Sequence, residues 1–167
     1  RNGTLSVIVD AIDAQGTTLV ATFDGLTTRL GSFGTFRRDG TASIAQSADG
    51  RSTTMRSDRL TVMSDGVVHV LEGYETHLVD EGESFTSAYS LDFHGVEQSS
   101  EIGGRATFST PVTFQGVGDA RPTAGELRID GAEGTSVRLV ADPDGVHASL
   151  VLADGTTLPT TWDALEE

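Results

Sequence analysis

The chain has 167 residues, no cysteine and a formal charge of −14, the length of a single acidic domain spanning 1–167. The missing cysteine excludes disulfides, thiolate nucleophiles and cysteine-held metals, and because all 11 basic residues are arginine, lysine Schiff-base and P-loop chemistry are excluded too. The 25 acids repel duplex nucleic acid and anionic membrane surfaces, so neither is expected as a main partner.

A chain of this size can bury roughly 70% of its unfolded surface, enough for a core without covalent staples. No run reaches the ~18 apolar residues of a membrane-spanning helix, so no transmembrane segment is expected. Arg1 as the first residue suits a processed chain, with any signal region or lipid-attachment cysteine upstream.

Strands are expected in order at 4–13, 17–24, 33–38, 41–47, 52–63, 67–79, 84–94, 104–115, 125–130, 135–141 and 146–152. The separators are Asp-Gly pairs at 24–25, 39–40, 49–50, 65–66, 130–131, 144–145 and 154–155, which suit tight hairpins because glycine tolerates positive φ. Between them side chains alternate. Tyr89, Leu91 and Phe93 oppose Ser90, Asp92 and His94; Ala106, Phe108, Val112 and Phe114 share a face; Leu127 and Ile129 oppose Arg128 and Asp130; Ala148, Leu150 and Leu152 oppose His147 and Ser149. Pro111 inside a strand-like run marks an edge or bulge, and the run 116–125 is the clearest loop. The tail from Thr161 predicts a short helical turn, with Trp162 docked into the end of the sheet between Leu158 and Leu165.

Eleven short strands with short connections predict an all-β antiparallel meander, barrel-like or curved into a half-barrel; a two-sheet β-sandwich is the alternative.

Residues 110–165 also resemble the C-terminal part of a group of uncharacterised Gram-negative envelope proteins that includes lipoproteins. The shared pieces are Thr110-Pro111, Phe114, the turn from Pro122 to Gly125, Gly131 to Gly134, and Trp162. The group's Asp-rich loop is reduced here to Asp142-Pro143-Asp144-Gly145. The resemblance implies a periplasmic or outer-membrane-associated location and supplies no catalytic residue.

Candidate chemistry is sparse. Asp142 and Asp144 are the candidate metal ligands, but twelve-residue calcium loops end on a glutamate and the corresponding position is Ala153, so a β-turn is the plainer reading. His69, His77, His94 and His147 show no compact ligand spacing. Asp92 and His94 could form an acid–base pair, without a nucleophile in view. No serine sits in a G-x-S-x-G elbow, and 116–125 lacks the G-x-G-x-x-G pattern, so no cofactor is expected. Arg37-Arg38 and Arg56/Arg59 are the local basic concentrations, able to attract an anion or to pair with acids. Phe85, Tyr89, Phe93, Phe108 and Phe114 could line a cavity or simply fill the core.

The leading expectation is a non-catalytic protein that binds or scaffolds an envelope component and, as the resemblance implies, is the soluble part of an envelope lipoprotein. A carrier of a small apolar ligand within the curved sheet is the alternative, and a hydrolase with an acidic site at a sheet edge the second.

Overall fold

The structure, a computed structural model, describes residues 3–29, 35–64, 66–80, 88–99, 102–118 and 120–165. Eleven strands form one antiparallel sheet in strict chain order. They are β1 (Thr4–Asp13), β2 (Gly16–Arg29), β3 (Thr35–Ser47), β4 (Ser52–Ser64), β5 (Val67–Asp80), β6 (Ala88–Ser99), β7 (Gly104–Val117), β8 (Ala124–Asp130), β9 (Ser136–Ala141), β10 (His147–Leu152) and β11 (Thr157–Thr161). Among the described residues β1 pairs only with β2 and β11 only with β10, so the sheet stays open as a curved half-barrel. A single sheet rules out the sandwich alternative.

Residues directly opposite each other in an antiparallel pair lie on the same face, so the register sorts the side chains. One face carries Val7, Ala21 and Ala42 in one cross-strand row and Leu127, Leu139, Leu150 and Leu158 in another. The other carries the row Arg56, Glu75, His94, Ser109, Arg128 and Arg138. These rows make the inner face of the curve mainly apolar and concentrate ion pairs on the outer one. Outer arginines pair with acids: Arg56 with Glu75 at 2.8 Å, Arg59 and Arg105 with Glu72 at 3.1 and 2.8 Å, Arg128 with Asp130 at 2.8 Å and Arg138 with Glu126 at 3.1 Å.

The curvature comes from bulges, which insert a residue into one strand and increase local twist. The register shifts between Val9 and Ala11, Phe23 and Leu26, Gly40 and Ser43, Glu72 and Glu75, Leu91 and His94, and twice along β7 around Val112. A one-residue shift reverses the inside–outside order beyond it, so one departure from the expected alternation follows. Val112 leaves the face of Phe108 and Phe114: it sits opposite Glu126 and is 51% exposed. Conversely, Gly73 at φ 55 swaps the order in β5, and Tyr74 joins Leu71 on the inside.

Two Asp-Gly pairs are bulges rather than turns. Asp24-Gly25 lies within β2, and Asp39-Gly40 lies within β3, which the sequence reading splits into 33–38 and 41–47. The side chain of Asp39 joins these bulges. Its carboxylate accepts the Gly25 N–H at 2.6 Å and the Arg37 Nε–H at 3.1 Å. The total is still eleven because the expected 33–38 and 41–47 merge into β3 while β11 adds a strand where none is expected. Thr157 to Thr161 pair with β10, and only Asp163–Leu165 form a 3-10 turn.

Among the described residues the buried apolar set is small: Ala21, Ala42, Leu60, Phe114, Ala141 and Ala148. Phe114 anchors the C-terminal half. The Trp162 ring meets it edge-on at 6.3 Å between centroids, which ties the end of the chain to the sheet. Trp162 Nε1 is buried with no hydrogen-bond partner among the described residues.

Candidate ligand groove

The inner face of β5–β8 is hollowed into an apolar cavity of about 470 Å³. Leu71 and Tyr74 come from β5, Leu91 and Phe93 from β6, Ala106 and Phe108 from β7, and Leu127 and Ile129 from β8. Their convergence follows from register: Thr76 sits opposite Phe93, and Phe108 opposite both Gly95 and Ile129. Gly95 matters here because it leaves room for a ring. A Cβ at this position would lie 2.9 Å from Phe108 Cζ, so the ring lies directly on the β6 backbone.

The rings form a continuous ladder. Tyr74 and Phe108 are 6.2 Å apart, Phe108 and Phe93 6.1 Å, and Phe93 and Phe114 6.1 Å with nearly parallel planes at 12°. Such spacings lie within the range of favourable aromatic pairs. Burial raises the pKa of the Tyr74 phenol above its ordinary 10, so the ring stays neutral. At the rim stand Ile102, 50% exposed, and Glu97, which pairs with His69 Nδ1 at 2.7 Å.

The structure scatters the polar residues singled out in the sequence. Asp142 and Asp144 lie in the β9–β10 turn. Asp144 Oδ1 accepts the N–H groups of Val146 and His147 at 2.9 Å each, and Oδ2 contacts His147 Nδ1 at 2.5 Å. These bonds, led by the His147 N–H, hold the Asp144 carboxyl far below its ordinary range, and the carboxylate in turn raises the His147 imidazole. Gly145 N–H closes the turn on the Asp142 carbonyl at 3.2 Å. This is turn chemistry with the carboxylate oxygens already engaged. Among the described residues no group of three or more His, Asp or Glu side chains is placed to hold a metal ion.

His77 bonds Thr54 Oγ1 at 2.9 Å and His94 stands opposite Glu75, both on the outer face. Asp92 shares that face but sits opposite His77, with Thr110 Oγ1 at 3.4 Å. Arg37 and Arg38, adjacent in sequence, part company. Arg37 is outside on Asp39, while Arg38 shares the inner row of Leu26 and Val62 with no ion pair among the described residues. Of the aromatic candidates, Phe93, Phe108 and Phe114 join the ladder. Tyr89 instead covers Gly116 and bonds the Ala120 carbonyl at 3.0 Å, and Phe85 lies outside the described residues. Leu71, Tyr74, Ile102, Ala106, Leu127 and Ile129 were not foreseen as lining residues. Alternation places Leu127 and Ile129 correctly, but nothing in it says which apolar stretch faces a hollow.

No protein-family model matches the chain, and neither curated proteins nor solved structures give a match.

Proposed function

We propose that the chain is a non-catalytic binding protein that holds the apolar part of a small molecule in the groove of β5–β8. The observation that carries this reading is the groove itself. Its volume of about 470 Å³ falls within the roughly 300–1,000 Å³ of ligand sites, and its walls are almost wholly aliphatic and aromatic. The hydrolase reading lacks such support. Among the described residues the carboxyls displaced from their ordinary pKa are Asp49, Glu75, Asp130, Asp144 and Asp154; all are lowered by hydrogen-bond donors, and none lines the groove. A catalytic acid needs the opposite shift.

Titration with N-phenyl-1-naphthylamine, a neutral apolar dye that brightens out of water, tests the binding. Saturable, blue-shifted emission is expected. Ala106→Trp places an indole in the hollow and should weaken binding at least tenfold, whereas Val68→Trp on the outer face should leave it unchanged. Absence of saturable emission, or equal binding by a folded Ala106→Trp variant, contradicts the reading.

The cell-envelope location is part of the same proposal and rests on the resemblance of residues 110–165. Fractionation of Gram-negative cells expressing the complete gene should place the protein in the periplasm or outer membrane; recovery in the cytoplasm would refute it.

A further inference from the structure

The two edges of the sheet are built differently. β11 is five residues long, carries Pro159 at its centre and runs into a 3-10 turn. Proline and short length are the ordinary means of preventing strand addition at an edge. β1 is ten residues long and has no proline, lysine or arginine. Its apolar side chains are open on both faces: Leu5 is 49% exposed, Val7 54%, Val9 55%, Ile8 62% and Ile12 74%. A long β-branched edge with a free row of N–H and C=O groups is a template for another strand.

The sequence of β1 says which strand fits. Aligned antiparallel with itself about Val7, TLSVIVD pairs Val7 with Val7 and Leu5 with Val9 on the inner face. On the outer face Ser6 meets Ile8 and Thr4 meets Asp10, so no acid faces an acid. The pairs from Leu5 to Val9 lie on regular backbone, and the bulge at Asp10 falls at the end of the alignment. It is an isologous two-fold contact, the commonest symmetry of homo-oligomers.

We propose that β1 is a self-pairing edge through which two copies of this chain join antiparallel, continuing one sheet into the other with both apolar inner faces on the same side. A contact of one strand pair is small, so the dimer is of the weak, transient class. Each copy carries −14, so the dimer is also opposed by charge and strengthens with added salt.

The absence of cysteine makes the register directly readable. Val7→Cys should form an interchain disulfide under mild oxidation. Leu5→Cys alone should not, while an equimolar mixture of Leu5→Cys and Val9→Cys should. Sedimentation equilibrium of the unaltered chain should show a monomer–dimer equilibrium that shifts toward dimer with sodium chloride. Val7→Lys sets two ammonium groups face to face on the axis and should abolish the dimer, with circular dichroism and melting temperature retained because the site is exposed. A chain that stays monomeric at millimolar concentration and gives no Val7→Cys cross-link overturns the proposal and leaves the edge to a strand of another protein. A dimer that survives Val7→Lys overturns it as well, by placing the contact elsewhere.

Discussion

Single residues carry the inner face where backbone and ring come into contact. Gly125 has φ 131, and a Cβ there would lie 2.6 Å from Phe114 Cα. Gly66 has φ 85 with nothing within 4 Å. Both positions disfavour a side chain by conformation, but only Gly125 adds a collision with the buried anchor of the core. Gly125→Ala should therefore cost the roughly 1–3 kcal/mol of backbone strain plus a similar overpacking penalty, and Gly66→Ala the strain alone. Urea denaturation of the two variants checks the difference; equal midpoints would contradict it. At the β9–β10 turn the pair Asp144–His147 sets a pH dependence. The His147 pKa is raised above 6.5 by the carboxylate beside it. The folded state then binds the proton more tightly than the unfolded state does. The pair's contribution is complete below the unfolded value and is lost as pH rises through the folded one. An NMR titration should place the His147 midpoint above 6.5, and Asp144→Asn should return it toward that value.

Elements were legible in the sequence where alternation was unbroken. β8 and β10 read correctly from Leu127/Ile129 and from Ala148/Leu150/Leu152, because neither pairs through a register shift with its later neighbour. β2 and β3 were misread because Asp-Gly is ambiguous: glycine's positive φ serves a hairpin turn and a bulge equally well. What separates the two is tertiary, namely a partner strand that continues past the glycine and the bond from Gly25 N–H to Asp39 at 2.6 Å. Tyr74 was hidden for the same reason, since Gly73 reverses the inside–outside order. Asp39→Ala should remove the acceptor that joins β2 to β3 and leave a part-buried donor unpaired, at about 1–3 kcal/mol. Amide exchange should speed up at Gly25 and its neighbours in both strands while β8–β10 stay protected. Uniform destabilisation without that local pattern would argue against the role given to Asp39.

For the whole molecule, an open meander of eleven strands gives one apolar face that no second layer covers among the described residues. Around Phe114 that face packs on itself through the aromatic ladder; from Leu71 to Ile129 it remains hollow. The outer face, with its arginine–carboxylate pairs, keeps the sheet hydrated on the other side. Fold class was legible from periodicity, whereas the hollow was not, because it depends on how far bulges bend the sheet. The central claim is that this hollow receives an apolar molecule. Isotope-filtered NOE spectroscopy of the labelled protein with unlabelled N-phenyl-1-naphthylamine tests it most directly. Cross-peaks from the dye to the ring protons of Phe93 and Phe108 and to the methyl groups of Leu71 and Ile129 are predicted. Cross-peaks confined to the exposed side chains of β1, or to outer residues such as Val68 and Val70, would contradict it.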